Sequence, residues 1–347
     1  MTREPEILVR VDGRAGRLTM NRPHALNALS HAMCRTIENA LDDWRNDGSV
    51  DLVIIDAGDP RAFCAGGDIT AVYHAARAGD FSLGQAFWYD EYRMNAKLAE
   101  YPKPVVSFMN GYVMGGGVGL GGHVSHRIVG ESTKLAMPEC GIGLVPDVGG
   151  TWILAQAPGR IGEYLGITGR RIGAADALFA GFADHFVPEA EWPALIEALC
   201  QSGTTDAVPQ DIQPDTAGVL QGWRKSIERC FWGEDMTAIN AKLETASDEF
   251  AIETRKSIAR NSVISMEATL RLVRMARNAR SVRDALRQEY RFTYRACQEA
   301  EFLEGVRAQL IDKDRDPKWQ FTPDTLPARL VEEILRPLPP ERDLVFD

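Results

Sequence analysis

Short apolar runs that end in glycine alternate along this chain with longer stretches whose apolar residues recur every three or four positions. The change between those two periods lays out the predicted elements. Residues 6–12 and 17–20 read as a hairpin around Gly13-Arg14-Ala15-Gly16. Residues 21–28 form a loop, and Ser30 is placed to cap a helix running to about Trp44. Residues 51–57, rich in Val and Ile, predict a buried strand. That strand leads through Gly58-Asp59-Pro60 into Ala62-Phe63-Cys64-Ala65-Gly66-Gly67-Asp68. One helix follows Asp68 and a second covers about 83–98. Residues 104–109 form another buried strand, which runs into Asn110-Gly111-Tyr112-Val113-Met114-Gly115-Gly116-Gly117-Val118-Gly119. Short strands at 127–129 and 134–136 precede helices over 151–165, 174–180 and 189–200. Strands alternating with helices in this way predict an α/β layer structure.

The pattern changes at residues 201–214, a polar stretch with two prolines that reads as a linker. Beyond it the period is helical and no strand is convincing. Two regions are therefore expected, a core over residues 1–200 and a helical C-terminal region over 215–347.

Composition narrows the class. With 45% hydrophobic and 25% charged residues the chain is ordinary for a soluble globular protein. A net charge of −10 argues against a general nucleic-acid or membrane-surface role, while leaving room for a local basic pocket. No stretch approaches the roughly 20 uninterrupted apolar residues of a membrane span. The six cysteines (Cys34, Cys64, Cys140, Cys200, Cys230, Cys297) are scattered without a CxxC pair, which favours free thiols in a reducing compartment over disulfides or zinc. The first residues carry acids and no apolar core of a signal peptide. A cytoplasmic location is expected.

Candidate chemistry concentrates in Met137-Pro138-Glu139-Cys140-Gly141-Ile142-Gly143-Leu144-Val145-Pro146-Asp147-Val148-Gly149-Gly150. Glu139 and Asp147 sit there among apolar residues and glycines, and an ionised carboxylate is costly to bury unless paired or used. A plainer alternative is that Asp147 only caps the next helix and Glu139 occupies a surface turn. Two strand-then-glycine turns could aim backbone N–H groups at one point, forming an oxyanion hole. The candidates are Gly67 and one of Gly115 to Gly117. A formal GxGxxG spans residues 117–122, with Glu139 about twenty residues on. A dinucleotide site would leave Gly66-Gly67 and Asp147 unexplained, so that reading is not followed.

Residues 62–68, 110–117 and 138–150, in that order and spacing, resemble the crotonase (enoyl-CoA hydratase/isomerase) superfamily over about residues 6–190. The resemblance implies a spiral of β-β-α turns with a mostly helical C-terminal region, an acyl-CoA thioester as substrate, and hole donors at the N–H groups of Gly67 and Gly116. Hydratases of the superfamily carry a glutamate two residues after the triple glycine, where this chain has Gly119. Glu139 matches their second glutamate. Asp147 stands where hydratases have glycine and where the 3-hydroxyisobutyryl-CoA hydrolase branch has aspartate. The helix Phe87-Trp88-Tyr89-Asp90-Glu91-Tyr92-Arg93-Met94-Asn95 and the segments 304–308, 310–314 and 317–319 resemble the same branch. Cys140 and Thr151 depart from its commonest residues. Of the six histidines only His24 lies in these motifs, so a Ser/Cys–His triad has no support.

By this resemblance the expected activity is hydrolysis of a short β-hydroxyacyl-CoA, with 3-hydroxyisobutyryl-CoA of valine breakdown as the foremost substrate. Glu139 would attack the carbonyl carbon or activate water, Asp147 would manage water and the thiolate, and Glu91 would hold the substrate hydroxyl. His24, Ala25 and Leu26, with Ala65, Gly66, Asp68 and Ile69, would hold CoA. CoA is part of the substrate, and no separate cofactor or metal is expected. No nucleic-acid or membrane partner is expected either, and a homo-oligomer is allowed without being specified. The alternatives are an enoyl-CoA isomerase using Glu139 as its single base and a non-catalytic acyl-CoA-binding relative. Residues 304–319 are expected to serve packing and ion pairs.

Overall fold

The computed structural model describes residues 4–327 and 329–346. In chain order the elements open with strands β1 (Ile7–Asp12) and β2 (Ala15–Met20), helix α1 (His31–Arg45), and strands β3 (Leu52–Ala57) and β4 (Ala62–Cys64). Helices α2 (Thr70–Arg77) and α3 (Ser82–Ala99) lead to β5 (Val105–Met109), β6 (Tyr112–Met114), α4 (Gly116–Gly121), β7 (His126–Val129) and β8 (Lys134–Ala136). Then come α5 (Gly150–Gln156), α6 (Ile161–Thr168), α7 (Ala174–Phe179), β9 (His185–Phe186) and α8 (Trp192–Ser202). The remaining described elements are helical: α9 (Leu220–Phe231), α10 (Met236–Glu244), α11 (Glu249–Ile258), α12 (Val263–Ala276), α13 (Val282–Glu299), α14 (Phe302–Val306) and α15 (Leu330–Leu335), with short single turns between some of them.

Two sheets follow from this order. The larger runs β1-β2-β3-β5-β7-β9 and the smaller β4-β6-β8. From β3 onward, each pass of the chain adds one strand to the large sheet and the next to the small one before a helix intervenes. This is the β-β-α spiral that the motifs imply. Only β1–β2 pairs antiparallel in the large sheet, as the hairpin around Gly13 requires, and the later pairs are parallel. β3 and β5 are buried at almost every position, as expected of parallel strands covered on both faces.

The chain divides into two compact units. One is Met1–Gly67, Arg93–Leu135 and Arg171–Gly218, and the other is Asp68–Tyr92, Ala136–Arg170 and Val219–Asp347. The first contains β1–β7 and β9, with α8 packed on the sheet through Trp192, Leu195 and Leu199 against Ile54, Val106 and Phe108. In the second, α5, α6 and the helices from α9 onward assemble around aromatic contacts such as Trp88 with Phe302 and Tyr164 with Phe231.

Two local expectations need correction. The single helix over 151–165 is two helices, because Pro158 and Gly159 (φ +59) break it after Gln156. The glycine run after Asn110 is not all turn. It contains β6 and the short helix α4, whose Gly117 lets the backbones close up, since a Cβ there would lie 2.2 Å from the Cys64 carbonyl oxygen.

Candidate active site

Within the first unit, the two predicted donors sit at neighbouring strand ends. β4 and β6 pair in parallel, with Ala62 opposite Tyr112 and Cys64 opposite Val113. The chain therefore leaves both strands at the same end, three residues before Gly67 and two before Gly116. Gly116 is the first residue of α4, where an N–H has no partner inside the helix. Its cap, Gly115, has φ +48, and Gly66 has φ +116, a backbone that L side chains rarely adopt.

The loop that carries His24, Ala25 and Leu26 lies against this turn. Ala65 N donates to Leu26 O at 3.1 Å, and Leu29 N to Gly66 O at 2.8 Å. Asn27, at φ +56, fastens the loop from inside: its Nδ2 donates to Ala62 O at 2.8 Å while its Oδ1 accepts from Arg22 N at 2.8 Å. His24 is exposed, Ala25, Leu26, Ala65 and Gly66 are half-buried, and the chain continues through half-buried Asp68 to buried Ile69 at the start of α2. The structure thus brings the predicted CoA-binding loop and turn together.

The second unit carries the acids. Glu139 opens a single helical turn, Glu139–Ile142, after Pro138. Two glycines permit the close packing that fixes this turn. Gly143 (φ +72) would put a Cβ 2.4 Å from Glu301 O, and Gly305 would put one 2.2 Å from Ile142 O. The C-terminal segment is therefore a support for Glu139. Around it, Arg307 pairs with Glu304, Asp312 and Asp314, as packing and ion pairs predict.

Glu91, Glu139, Asp147 and Glu289 are all buried, with relative exposures of 2%, 4%, 5% and 0%. No Lys, Arg or His ion pair reaches any of them among the described residues. One oxygen each of Glu91 and Glu139 is buried without a hydrogen-bond partner. Asp147 Oδ2 accepts from Tyr92 Oη at 2.7 Å, and that hydroxyl also lies 3.3 Å from Thr293 Oγ1.

Burial without a counter-charge decides the protonation of these acids. Asp147 is pushed up to about 7 by burial, partly offset by the Tyr92 hydrogen bond. Burial first and then the Asp147 charge hold Glu139 well above the carboxylate range, and the same two causes raise Glu91. Glu289 is raised by burial to about 8. Asp147 and Glu289 therefore change charge near neutrality, where proton transfer is most useful.

Asp147 is not the cap of α5. The N-cap is Gly149 in the left-handed region, and no side chain of that loop caps the helix. Glu289 on α13 accepts from Gly149 N at 2.7 Å through Oε2 and from Thr151 N at 3.0 Å and the Thr151 hydroxyl through Oε1. Tyr92, Glu289 and Thr151 are the residues that sequence reasoning missed. Tyr92 adjoins Glu91. Glu289 stands in the buried stripe Val282, Ala285, Leu286, Thr293, Ala296 of α13 at helical spacing, and a charge on a buried face is itself a signal.

Cys140, the other departure, is a buried thiol near Gly166 O and Thr269 Oγ1. A cavity of about 670 Å3 in the first unit, lined by Arg17, Asp56, Phe108 and Trp192 among others, contains none of the predicted site residues. Among the described residues no group of His, Cys, Asp and Glu is arranged to hold a metal ion.

The sequence profile described as enoyl-CoA hydratase/isomerase matches residues 15–335. The chain belongs to the enoyl-CoA hydratase/isomerase family. Within this family it is 38% identical over 332 residues to the zebrafish (Danio rerio) 3-hydroxyisobutyryl-CoA hydrolase, mitochondrial, covering 92% of this chain and 86% of that one. It is 37% identical to a probable 3-hydroxyisobutyryl-CoA hydrolase of Arabidopsis thaliana, over 92% of this chain and 88% of that one. A solved enoyl-CoA hydratase from Rhodobacter sphaeroides superposes with a TM-score of 0.94 at 50% identity, covering 99% of this chain and all of that one. A carnitinyl-CoA dehydratase from Mycobacterium thermoresistibile gives 0.93 at 41% identity, over 99% of each chain. No described helix is long and apolar enough to cross a membrane.

Proposed function

We propose that this family member hydrolyses the thioester of a short β-hydroxyacyl-CoA, with 3-hydroxyisobutyryl-CoA as the foremost substrate and valine breakdown as its setting. The observation that carries the reading is Asp147: a second buried carboxyl, without a counter-ion, held by Tyr92 beside the charge range of Glu139. A single-base isomerase has no use for it, and a passive binder gains nothing from acids it must keep unneutralised. The curated relatives named as 3-hydroxyisobutyryl-CoA hydrolases support the substrate.

In this reading the N–H groups of Gly67 and Gly116 stabilise the thioester oxygen as it gains charge. Ionised Glu139 either attacks the carbonyl carbon, expelling the thiolate and leaving a mixed anhydride that water then opens, or removes a proton from a water that attacks directly. Both routes consume one water and yield the free acid and CoA thiol. Asp147, pushed by burial up to about 7, gives a proton to the departing thiolate and recovers one from water. Glu91, buried with an unpartnered oxygen, accepts the substrate hydroxyl. The loop at His24–Leu26 and the turn from Ala65 through Asp68 to Ile69 hold the CoA portion.

The test is a panel of acyl-CoAs followed for free thiol and for the enoyl chromophore. Thiol release from hydroxyacyl-CoA supports the hydrolase. Water added to an enoyl-CoA without thiol release would return the chain to the hydratase activity in the name of its Rhodobacter relative, and a shifted double bond would favour the isomerase. Six buried free cysteines fit a reducing compartment, proposed as the cytoplasm. Cell fractionation checks this against the mitochondrial names of several relatives.

A further inference from the structure

The segment that carries Asp147 is strained. Val148 has φ +53, a left-handed backbone that a β-branched residue adopts only under constraint, and Gly149 follows at φ +77. Left-handed geometry at a non-glycine residue is costly and persists only when the surroundings over-determine it. One side chain holds the backbone that follows Val148 from both sides of Gly150. Fully buried Glu289 takes the N–H groups on either side of Gly150, those of Gly149 and Thr151, in its two oxygens, and the Thr151 hydroxyl as well. Both clamped groups lie within four residues of Asp147. The same helix supplies Thr293, one turn on, to the Tyr92 hydroxyl that holds Asp147 Oδ2.

We propose that Glu289 is a positioning residue for the hydrolysis: its carboxyl clamps the Val148–Thr151 backbone in a strained form that presents Asp147 to the reacting groups. The inference rests on the hydrolase reading for its kinetic consequence but not for its geometry. A carboxyl oxygen can accept at both N–H groups. A carboxamide accepts at one and turns its own donors toward the other, so Glu289→Gln breaks the clamp at nearly constant volume. The groups facing Asp147 and Glu289 are Glu91 and Tyr92 of α3 and Glu139, all acids or a phenol. Removing the Glu289 charge therefore makes ionisation of Glu139 easier.

The experiment uses the full chain. Glu289→Gln should lower kcat for thiol release by about a hundredfold, the scale of a misplaced catalytic group, with KM changed far less. The acid limb of the kcat profile should move to lower pH. A crystal structure of the variant should show Val148 out of the left-handed region and the Tyr92–Asp147 bond lost or lengthened, a readout that needs no turnover. Should the wild type release no thiol, the hydrolase reading fails while that structure still decides the clamp. A folded Glu289→Gln protein with Val148 unmoved, or with unchanged kcat and acid limb despite a lower Tm, overturns the proposal. If Glu289→Gln does not fold, Thr151→Ala and Thr151→Ser decide: Ala should reduce kcat several-fold and Ser should restore it. Equal rates for Ala and wild type overturn the clamp.

Discussion

Two buried glutamates of the second unit have opposite surroundings. Glu163 on α6 is wholly buried, yet Arg160 and Arg277 lie within 2.7 and 2.8 Å of it and Arg274 within 3.9 Å. Glu139 is 4% exposed and has an unpartnered oxygen, no cation, and three further carboxyls whose charges oppose or crowd its own. The first arrangement satisfies a charge and makes structure. The second withholds the counter-charge and so stores reactivity, at a cost that the rest of the fold must offset. Burial alone therefore does not distinguish the two; in the proposed hydrolysis it is burial without neutralisation that singles out Glu139.

The largest effect that would sharpen the contrast is on turnover. Glu139→Gln should fold as the wild type does and lose roughly 10²–10⁴-fold in kcat, because only an ionised carboxyl can attack or take a proton. A variant that keeps more than about a tenth of the rate in a thiol-release assay breaks the assignment.

The next effect is a pH dependence with a definite sign. Asp147 and Glu289 titrate at about 7 and about 8 in the folded protein, against roughly 4 for a free carboxyl. Between those limits the native state holds the extra protons, so stability present at pH 4 is lost as pH rises toward 8 and is then level. For Asp147 alone the displacement corresponds to up to roughly 4 kcal/mol at full titration. Asp147→Asn, which still accepts from Tyr92, should melt higher than the wild type at pH 8 and nearly equally at pH 4, while losing activity. Urea unfolding across that range reads the difference, and a pH-independent stability in the wild type would show that the pocket is hydrated and its acids ordinary.

At Glu163 the outcome should reverse. Glu163→Gln ought to lower stability by about 2 kcal/mol and leave kcat of the folded enzyme near normal. That is below the ~3–5 range for wholly buried pairs, because its arginines are partly exposed and can be rehydrated. A large kcat loss without a change in melting temperature would erase the distinction. Smallest of all is Arg307→Gln, which meets half-buried Glu304 and exposed Asp312 and Asp314, where solvent screens the pairs and the melting temperature should hardly move.

Much of this was legible before any coordinates. Periodicity located β3 and β5, which lead toward the two glycine turns, but not the three-residue strands β4 and β6 that end at them, and motif spacing singled out Gly67, Gly116, Glu139, Asp147 and Glu91. Local signals alone were ambiguous where a residue's partner is distant in sequence. The alternative reading of Asp147 as a helix cap draws on a local signal, aspartate before Gly-Gly and an apolar run, yet the capping oxygens come from Glu289, about 140 residues away. Thr151 reads as a neutral departure until its hydroxyl meets the same carboxyl. The break after Gln156 was in plain view as Pro158-Gly159, and apolar periodicity on both sides hid it.

By itself the sequence determined what depends on neighbours along the chain: where glycine frees the backbone for donors, where apolar period makes a strand or helix, and which acids stand among apolar residues. Only the tertiary structure decided which buried acids meet arginines and which meet one another. The pKa of Asp147 and the backbone around Val148 depend on groups brought close from α3 and α13, and no local pattern encodes the distance between them.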